Sequence, residues 1–259
     1  MKFRPCIDIH NGQVKQIVGG SLTDDKDFAT ENFVAKADAS FYANMYKSNN
    51  IVGGHIIILN AKDSDYYEAT KKQAFLALKT YPAGLQIGGG IDSSNALEYI
   101  NAGATHVIVT SYVFKDGRIN YENLERISET VGKDKLVIDL SCRKKDGKYY
   151  VVTDRWQKFT DVAVCKELFY ELYKYCDEFL VHAVDVEGKA NGIEADVVAI
   201  LGELEGIKVT YAGGISSYED IELLKKLGNN KVDFTVGSAL DIFGGNLEYK
   251  KIVEIGREE

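Results

Sequence analysis

Short apolar, β-branched runs alternate with longer stretches of helical period along the whole chain. The runs at residues 3–9, 55–59, 84–87, 106–110, 136–140, 178–183, 208–211 and 233–236 predict eight strands. Between them, apolar positions spaced by three and four predict helices at 67–80, 95–101, 122–131, 162–174, 195–204 and 218–227. Several strand runs, such as Ile56-Ile57-Ile58-Leu59 and Val107-Ile108-Val109, are apolar throughout rather than alternating. Strands covered on both faces read that way, as parallel strands do. Eight of them with intervening helices in 259 residues match a (β/α)8 TIM barrel, with a doubly wound open sheet as the competing architecture. No linker or compositional break divides residues 1–259, so one domain is expected. Residues 19–39, polar with few periodic apolar positions, are expected as a long loop after the first strand.

The chain also repeats itself weakly at half its length. Cys6-Ile7-Asp8-Ile9 is echoed by Val137-Ile138-Asp139-Leu140, 131 residues on; Gly89-Gly90-Ile91 returns as Gly213-Gly214-Ile215 after 124; Thr110-Ser111 is matched by Gly237-Ser238 after 127. Three pairs in one order with one common offset predict an internal half-barrel duplication.

The repeated residues carry the candidate chemistry. Glycines at a strand end let successive backbone N–H groups converge on one point, and with a helix N-terminus they make an anion site that needs no lysine. Gly213-Gly214 precede Ser217, with Asp220 three residues on, a helix-capping arrangement. Ser111 and Ser238 close the following strands, and barrels often hold a phosphate at the loops after strands seven and eight. One glycine pair alone reads first as a tight turn; two copies, each followed by a small polar strand end, reverse that reading and predict a ligand with a phosphate at each end. A valine at Gly214 is then expected to block ligand approach without disturbing the fold.

Asp8 and Asp139 each sit late in an apolar strand, where a carboxylate enters the barrel mouth and is costly unless paired or used. The repeat puts them on strands one and five, across one ligand. Environment and mutual repulsion can then separate their pKa values into a base and an acid. The sixth strand ends with His182, Asp185 and Glu187. Trp156, a lone large aromatic, is placed to stack on a planar ligand ring or simply to cover the core.

Composition removes alternatives. Lysines and arginines number 31 against 39 acids, a net charge of −8, which argues against a nucleic-acid backbone or an anionic membrane as partner. No run reaches the roughly 18 apolar residues a membrane span needs, and Asp8 comes too early for a secretory signal. The four cysteines lack CxxC spacing, which suits reduced thiols and a cytoplasmic location. The four histidines show no HxxxH or HxH spacing, so no metal site is expected.

Four stretches carry a family resemblance: residues 6–12 with 17–20 (CIDIHNG … IVGG), residues 137–143 (VIDLSCR), residues 184–188 (VDVEG) and residues 236–247 (VGSALDIFGGNL). Together they resemble the eukaryotic branch of the phosphoribosylformimino-5-aminoimidazole carboxamide ribotide isomerase family of histidine biosynthesis, essentially end to end. The resemblance implies a half-barrel-duplicated (β/α)8 fold and an Amadori rearrangement of an aminoaldose to an aminoketose. It implies a small-molecule substrate with two phosphates, no cofactor, and here a monomer. Asp8 takes the place of the family's general base, and the proton donor is Asp139 or Glu187. Gly19, Gly20, Gly89, Gly90, Thr110, Ser111, Arg143, Trp156, His182, Asp185, Gly213, Gly214, Gly237 and Ser238 are the expected binding residues. Gln16, Asp92 and Thr110 depart from the bacterial pattern, which has arginine, arginine and glycine there, so the second phosphate site is the closer match.

Two rival readings share the twin anion sites and opposed aspartates. A cyclase barrel of imidazole glycerol phosphate synthase would arrive with a glutaminase partner, whereas the His10-Asn11-Gly12 and Ser141-Cys142-Arg143 text fits the isomerase. A non-catalytic phosphosugar-binding barrel would retain its binding and lose nothing on Asp8→Asn.

Overall fold

The computed structural model describes residues 1–18, 21–22, 29–154, 156–189 and 191–257. Eight parallel strands follow the predicted order: β1 (Cys6–His10), β2 (Gly54–Ile58), β3 (Leu85–Gly88), β4 (Val107–Val109), β5 (Leu136–Asp139), β6 (Glu178–His182), β7 (Lys208–Ala212) and β8 (Asp233–Phe234). Each is followed by a helix: α1 (Ala39–Ser48), α2 (Tyr67–Thr80), α3 (Ala96–Asn101), α4 (Tyr121–Val131), α5 (Lys166–Leu172), α6 (Ala195–Gly202), α7 (Tyr218–Leu227) and α8 (Tyr249–Ile255). The ring closes where Phe3 bridges Phe234 in parallel, with Arg4 N donating to Phe234 O at 2.8 Å and Phe234 N to Lys2 O at 3.0 Å. The fold is thus a (β/α)8 barrel.

The uninterrupted apolar runs now have their reason. Ile7, Ile56, Ile87, Val109, Ile138 and Val181 face the helices, while Ile57, Ile108, Val137, Leu180 and Ala212 pack together inside the barrel. Below this inner layer the barrel is plugged by a buried ion. Glu178 accepts from Gln86 Nε2 at 3.1 Å and Thr210 Oγ1 at 3.3 Å, and stands 4.0 Å from Arg4, which also pairs with Asp233 at 2.8 Å. A buried carboxylate satisfied on all sides is tolerated.

The capping arrangement at Ser217 forms as expected. Ser217 Oγ accepts from Asp220 N at 3.1 Å, and the Asp220 carboxylate from Ser217 N at 3.0 Å. Elsewhere the sequence expectations need correction. Part of the expected 19–39 loop is a strand, Glu31–Val34, antiparallel to Gln13–Ile17, which itself folds back on β1; residues 19–20 and 23–28 lie outside the described residues. The helix expected from residue 162 begins only at Lys166. Residues Lys158–Ala163 instead complete a three-stranded antiparallel sheet with Lys148–Thr153 and Cys142–Lys145, above the end of β5. Two helices went unpredicted. In α1 the Asp38 carboxylate caps the backbone N–H of Ser40 at 3.0 Å, and the buried face is Ala39, Tyr42, Ala43 and Tyr46, so tyrosines replace the aliphatic stripe a pattern search seeks.

Candidate active site

Inward-facing residues at the C-terminal ends of the strands meet at the barrel mouth, where two cavities open. The larger, about 570 Å³, is bounded by Gly88–Gly90 after β3, Thr110 and Ser111 after β4, Asp139 at the end of β5, and Trp156. The smaller, about 180 Å³, is bounded by Gly213 and Gly214 after β7, Gly237 and Ser238 after β8, and Glu187 after β6. In a ring of eight strands, β3 and β7 lie on opposite sides.

Both glycine turns depend on the missing side chain. Gly89 (φ +98°) and Gly213 (φ +119°) lie so close to the neighbouring strand end that an added Cβ would sit 2.0 Å from Ile58 O and 2.7 Å from Ala183 O respectively. The cradles differ in side chains. Lys62 stands beside the first, with Nζ 2.5 Å from Asp92 Oδ2. The hairpin strand Gln13–Ile17 and Glu31–Val34 support the second, because Asn32 Nδ2 donates to Gly188 O at 3.2 Å and fixes the loop that carries Glu187.

The candidate acids are held differently. Asp139 is buried and accepts from Ser141 Oγ at 2.9 and 3.1 Å and from Thr110 Oγ1 at 3.1 Å. Ser141 in turn accepts from Trp156 Nε1 at 3.1 Å, so the indole is positioned by the same hydroxyl. His182 Nδ1 stands 3.7 Å from Asp139 Oδ1, an ion-pair distance too long for a hydrogen bond. Asp8 is half-buried and accepts from Gln16 Nε2 at 3.2 Å. Burial raises its pKa to about 7, the charge of Glu187 adds to the rise, and His182 with the Cys6 and Gln16 hydrogen bonds pulls against it. Glu187 is likewise raised by burial and drawn back by His182. For His182, burial disfavours the charge, but Asp139, Glu187 and Asp8 outweigh it and lift the pKa to about 9. The carboxylate that repels Asp8 is therefore Glu187; the repulsion expected from Asp139 is replaced by the ties of Asp139 to Ser141, Thr110 and His182.

Of the residues singled out in the sequence, the larger cavity gathers Gly89, Gly90, Thr110, Ser111, Asp139 and Trp156, and the smaller gathers Gly213, Gly214, Gly237, Ser238 and Glu187. Asp8 and His182 border neither cavity but interact with residues that do, His182 with Asp139 and Glu187 and Asp8 with Glu187. Arg143 and Asp185 bound neither cavity; they pair with each other, Arg143 Nε to Asp185 Oδ1 at 2.8 Å, and Asp185 also accepts from Lys144 N at 2.8 Å. Gly19 and Gly20 lie outside the described residues. Sequence reasoning missed the supporting shell: Ser141 under Asp139, Lys62 beside the first cradle, and His55, whose ring meets that of His182 edge-on at 6.1 Å. It also missed that Cys6, Asp8 and His55 bring three possible ligand atoms within 4.8 Å of one another, the one such trio among the described residues. Burial, aided by the charge of His182, keeps His55 neutral with a pKa of about 3. No spacing rule finds such a trio, because Cys6 and His55 meet only as register partners on two neighbouring strands, with Asp8 two residues along from Cys6.

Residues 2–247 match the model of a family described as histidine biosynthesis protein. A chloroplastic protein of Medicago truncatula, named 1-(5-phosphoribosyl)-5-((5-phosphoribosylamino)methylideneamino) imidazole-4-carboxamide isomerase, is 52% identical over 257 residues, covering 98% of this chain and 81% of that protein. Isomerases of the same name from Yarrowia lipolytica and Saccharomyces cerevisiae are 51% and 46% identical, each over 95% of this chain and 93% and 94% of their own lengths.

Proposed function

The chain belongs to the histidine biosynthesis protein family, and from that premise we propose that it is an isomerase converting N′-(5′-phosphoribosyl)formimino-5-aminoimidazole-4-carboxamide ribotide from its aminoaldose to its aminoketose form. The observation that carries this reading is the pair of glycine-built cradles on opposite sides of one barrel mouth, bordered by Asp139 and Glu187, with Asp8 on the first strand interacting with Glu187 and His182. A bis-phosphate anchored at both ends is held stretched across the mouth, and its ribose is thereby fixed over the carboxylates.

The chemistry needs one acid and one base. The acid protonates the ribose ring oxygen as the C1′–O bond breaks, and the lone pair of the amine nitrogen forms the C1′=N double bond. The base then removes the C2′ proton, and that electron pair closes C1′=C2′ while nitrogen regains its lone pair. Protonation of C1′ and loss of the 2′-hydroxyl proton give the ketone, so the protons balance. Asp8, with a pKa near 7, suits the base, being ionised in part at neutral pH yet strong enough to take a carbon-bound proton. Asp139, Glu187 and His182 are the groups in the site that can serve the acid. The positive charge of the intermediate rests on the substrate's own nitrogen. All these groups come from one chain, so a monomer suffices.

The deciding experiment is a spectrophotometric assay with the aminoaldose as substrate, with Asp8→Asn as control. The unmodified chain turns over and the variant loses kcat by about a hundredfold or more while still binding product. Turnover by Asp8→Asn near the unmodified rate overturns the role of Asp8. A glutaminase co-purifying in equal amount would favour the cyclase reading instead.

A further inference from the structure

We infer that His182 is the proton donor of the ring-opening step and that Asp139 is its positioning carboxylate, an inference that rests on the proposed isomerisation. His182 ends β6 and faces inward, at the strand end where barrels place catalytic groups. It links residues of the two cavities: Asp139, 3.7 Å away, bounds one, Glu187 bounds the other, and both act on its imidazole. Charged or titratable neighbours reach it from every side, Asp139 on β5, Asp8 on β1, Glu187 on its own loop and His55 on β2.

The ring is held as a donor should be. Nδ1 is shut off from solvent with no hydrogen-bond partner among the described residues, and the nearest opposite charge is Asp139 Oδ1 at 3.7 Å. That contact turns Nδ1 toward the carboxylate and leaves Nε2, on the other side of the ring, for a ligand. Trp156 limits the tilt, with ring centroids 6.3 Å apart at 47°. The three carboxylates keep the imidazole charged, and Asp139 is itself held in place by contacts from the Ser141 and Thr110 hydroxyls. A carboxylate that orients an imidazole and stabilises its charged form is a recurrent arrangement in proton transfer. In the step itself the His182 N–H proton passes to the ribose ring oxygen as C1′–O breaks, leaving neutral imidazole. The proton lost from the 2′-hydroxyl on ketonisation recharges it, directly or through water.

The test compares the unmodified chain with His182→Gln, using pH profiles of kcat and product binding by calorimetry. The unmodified kcat should fall as the pH rises through about 9. His182→Gln should lose kcat by about a hundredfold, keep product affinity within about threefold as expected for a group that acts in the transition state, and lack that alkaline fall. Retained kcat, or an unchanged alkaline fall in the variant, overturns the inference. Absence of turnover in the unmodified chain counts against the proposed function. The charge is then read by ¹H,¹⁵N NMR of the His182 imidazole, and a neutral ring at pH 7 overturns the inference by itself.

Discussion

Alanine substitutions at Gly90 and Gly214 separate what a glycine does for its own backbone from what it does for its neighbours. Both have positive φ, +66° and +75°, so an alanine at either pays the left-handed penalty of roughly 1–2 kcal/mol. The environments differ. A Cβ at Gly90 would meet nothing nearer than Lys62 Cε at 3.5 Å, an ordinary contact with a flexible side chain. A Cβ at Gly214 would lie 2.0 Å from Gly192 O and 2.8 Å from Val186 Cγ2, so the loop from β6 to α6 must move. Forcing an extra carbon into such a site costs a further 1–3 kcal/mol or so. At about 3 °C per kcal/mol for a chain of this size, Gly90→Ala should lower Tm by roughly 3–6 °C and Gly214→Ala by roughly 6–15 °C. Scanning calorimetry or circular dichroism reads both. Equal losses, or a smaller loss at Gly214, would refute the steric reasoning. The same contacts correct the expectation that a valine at Gly214 would block the ligand and spare the fold: the moving loop carries Glu187, so fold and site are disturbed together.

Three further outcomes are expected. The kcat/KM profile should rise through pH 7 as Asp8 ionises, and Gln16→Leu, which removes a hydrogen bond favouring the ionised form, should move that limb upward; a limb unmoved by Gln16→Leu argues against Asp8 as its source. Glu178→Ala in the barrel plug should cost about 3 kcal/mol, visible in urea denaturation, by stranding the Gln86 and Thr210 donors and one side of Arg4, while leaving kcat within about twofold because the plug lies at the far end from the mouth. The folded-state pKa of His182 is raised from 6.5 to about 9, so its contribution to stability is complete below pH 6.5 and is lost as the pH rises through 9; Tm should fall more steeply between pH 7 and 10 in the unmodified chain than in His182→Gln.

What the sequence revealed and what it hid divide along physical lines. The eight barrel strands were legible because burial on both faces leaves runs of mostly apolar residues, as at Ile56–Ile58, a signal independent of partners. The repeat was legible because one backbone geometry recurs, and glycine alone meets it at residues 89 and 213. The extra sheet at residues 142–163 was half hidden, since its strands mix lysines with tyrosines and their exposure depends on what they cover. Arg143 was expected to bind the ligand on the strength of the family resemblance; only the fold reveals that Asp185 already holds it. The opposed aspartates were found, but which acid repels which depends on distances across the barrel that no spacing encodes. His182, one residue among several at a strand end, gains its meaning from Asp139, Glu187 and Asp8 converging on it from three places in the chain.

An acidic chain with three carboxylates at its mouth is an odd receptor for a bis-phosphate, unless the means of binding is chosen to protect the base. A ring of lysines around the phosphates would place full positive charges near Asp8, and each would favour its ionised form and drive its pKa back toward the ordinary carboxylate range. At that value Asp8 would be ionised but a weak base for a proton on carbon. Backbone N–H groups and helix ends offer the phosphates comparable hydrogen bonds, with partial charges whose influence fades within about one helical turn. The smaller cavity, the one that Glu187 borders, is accordingly bounded by glycines, serines and asparagine with no lysine or arginine among the described residues. The cation beside Asp139 is then His182, buried where the carboxylates can hold its proton, and the mouth keeps both a strong base and a charged acid within one small volume.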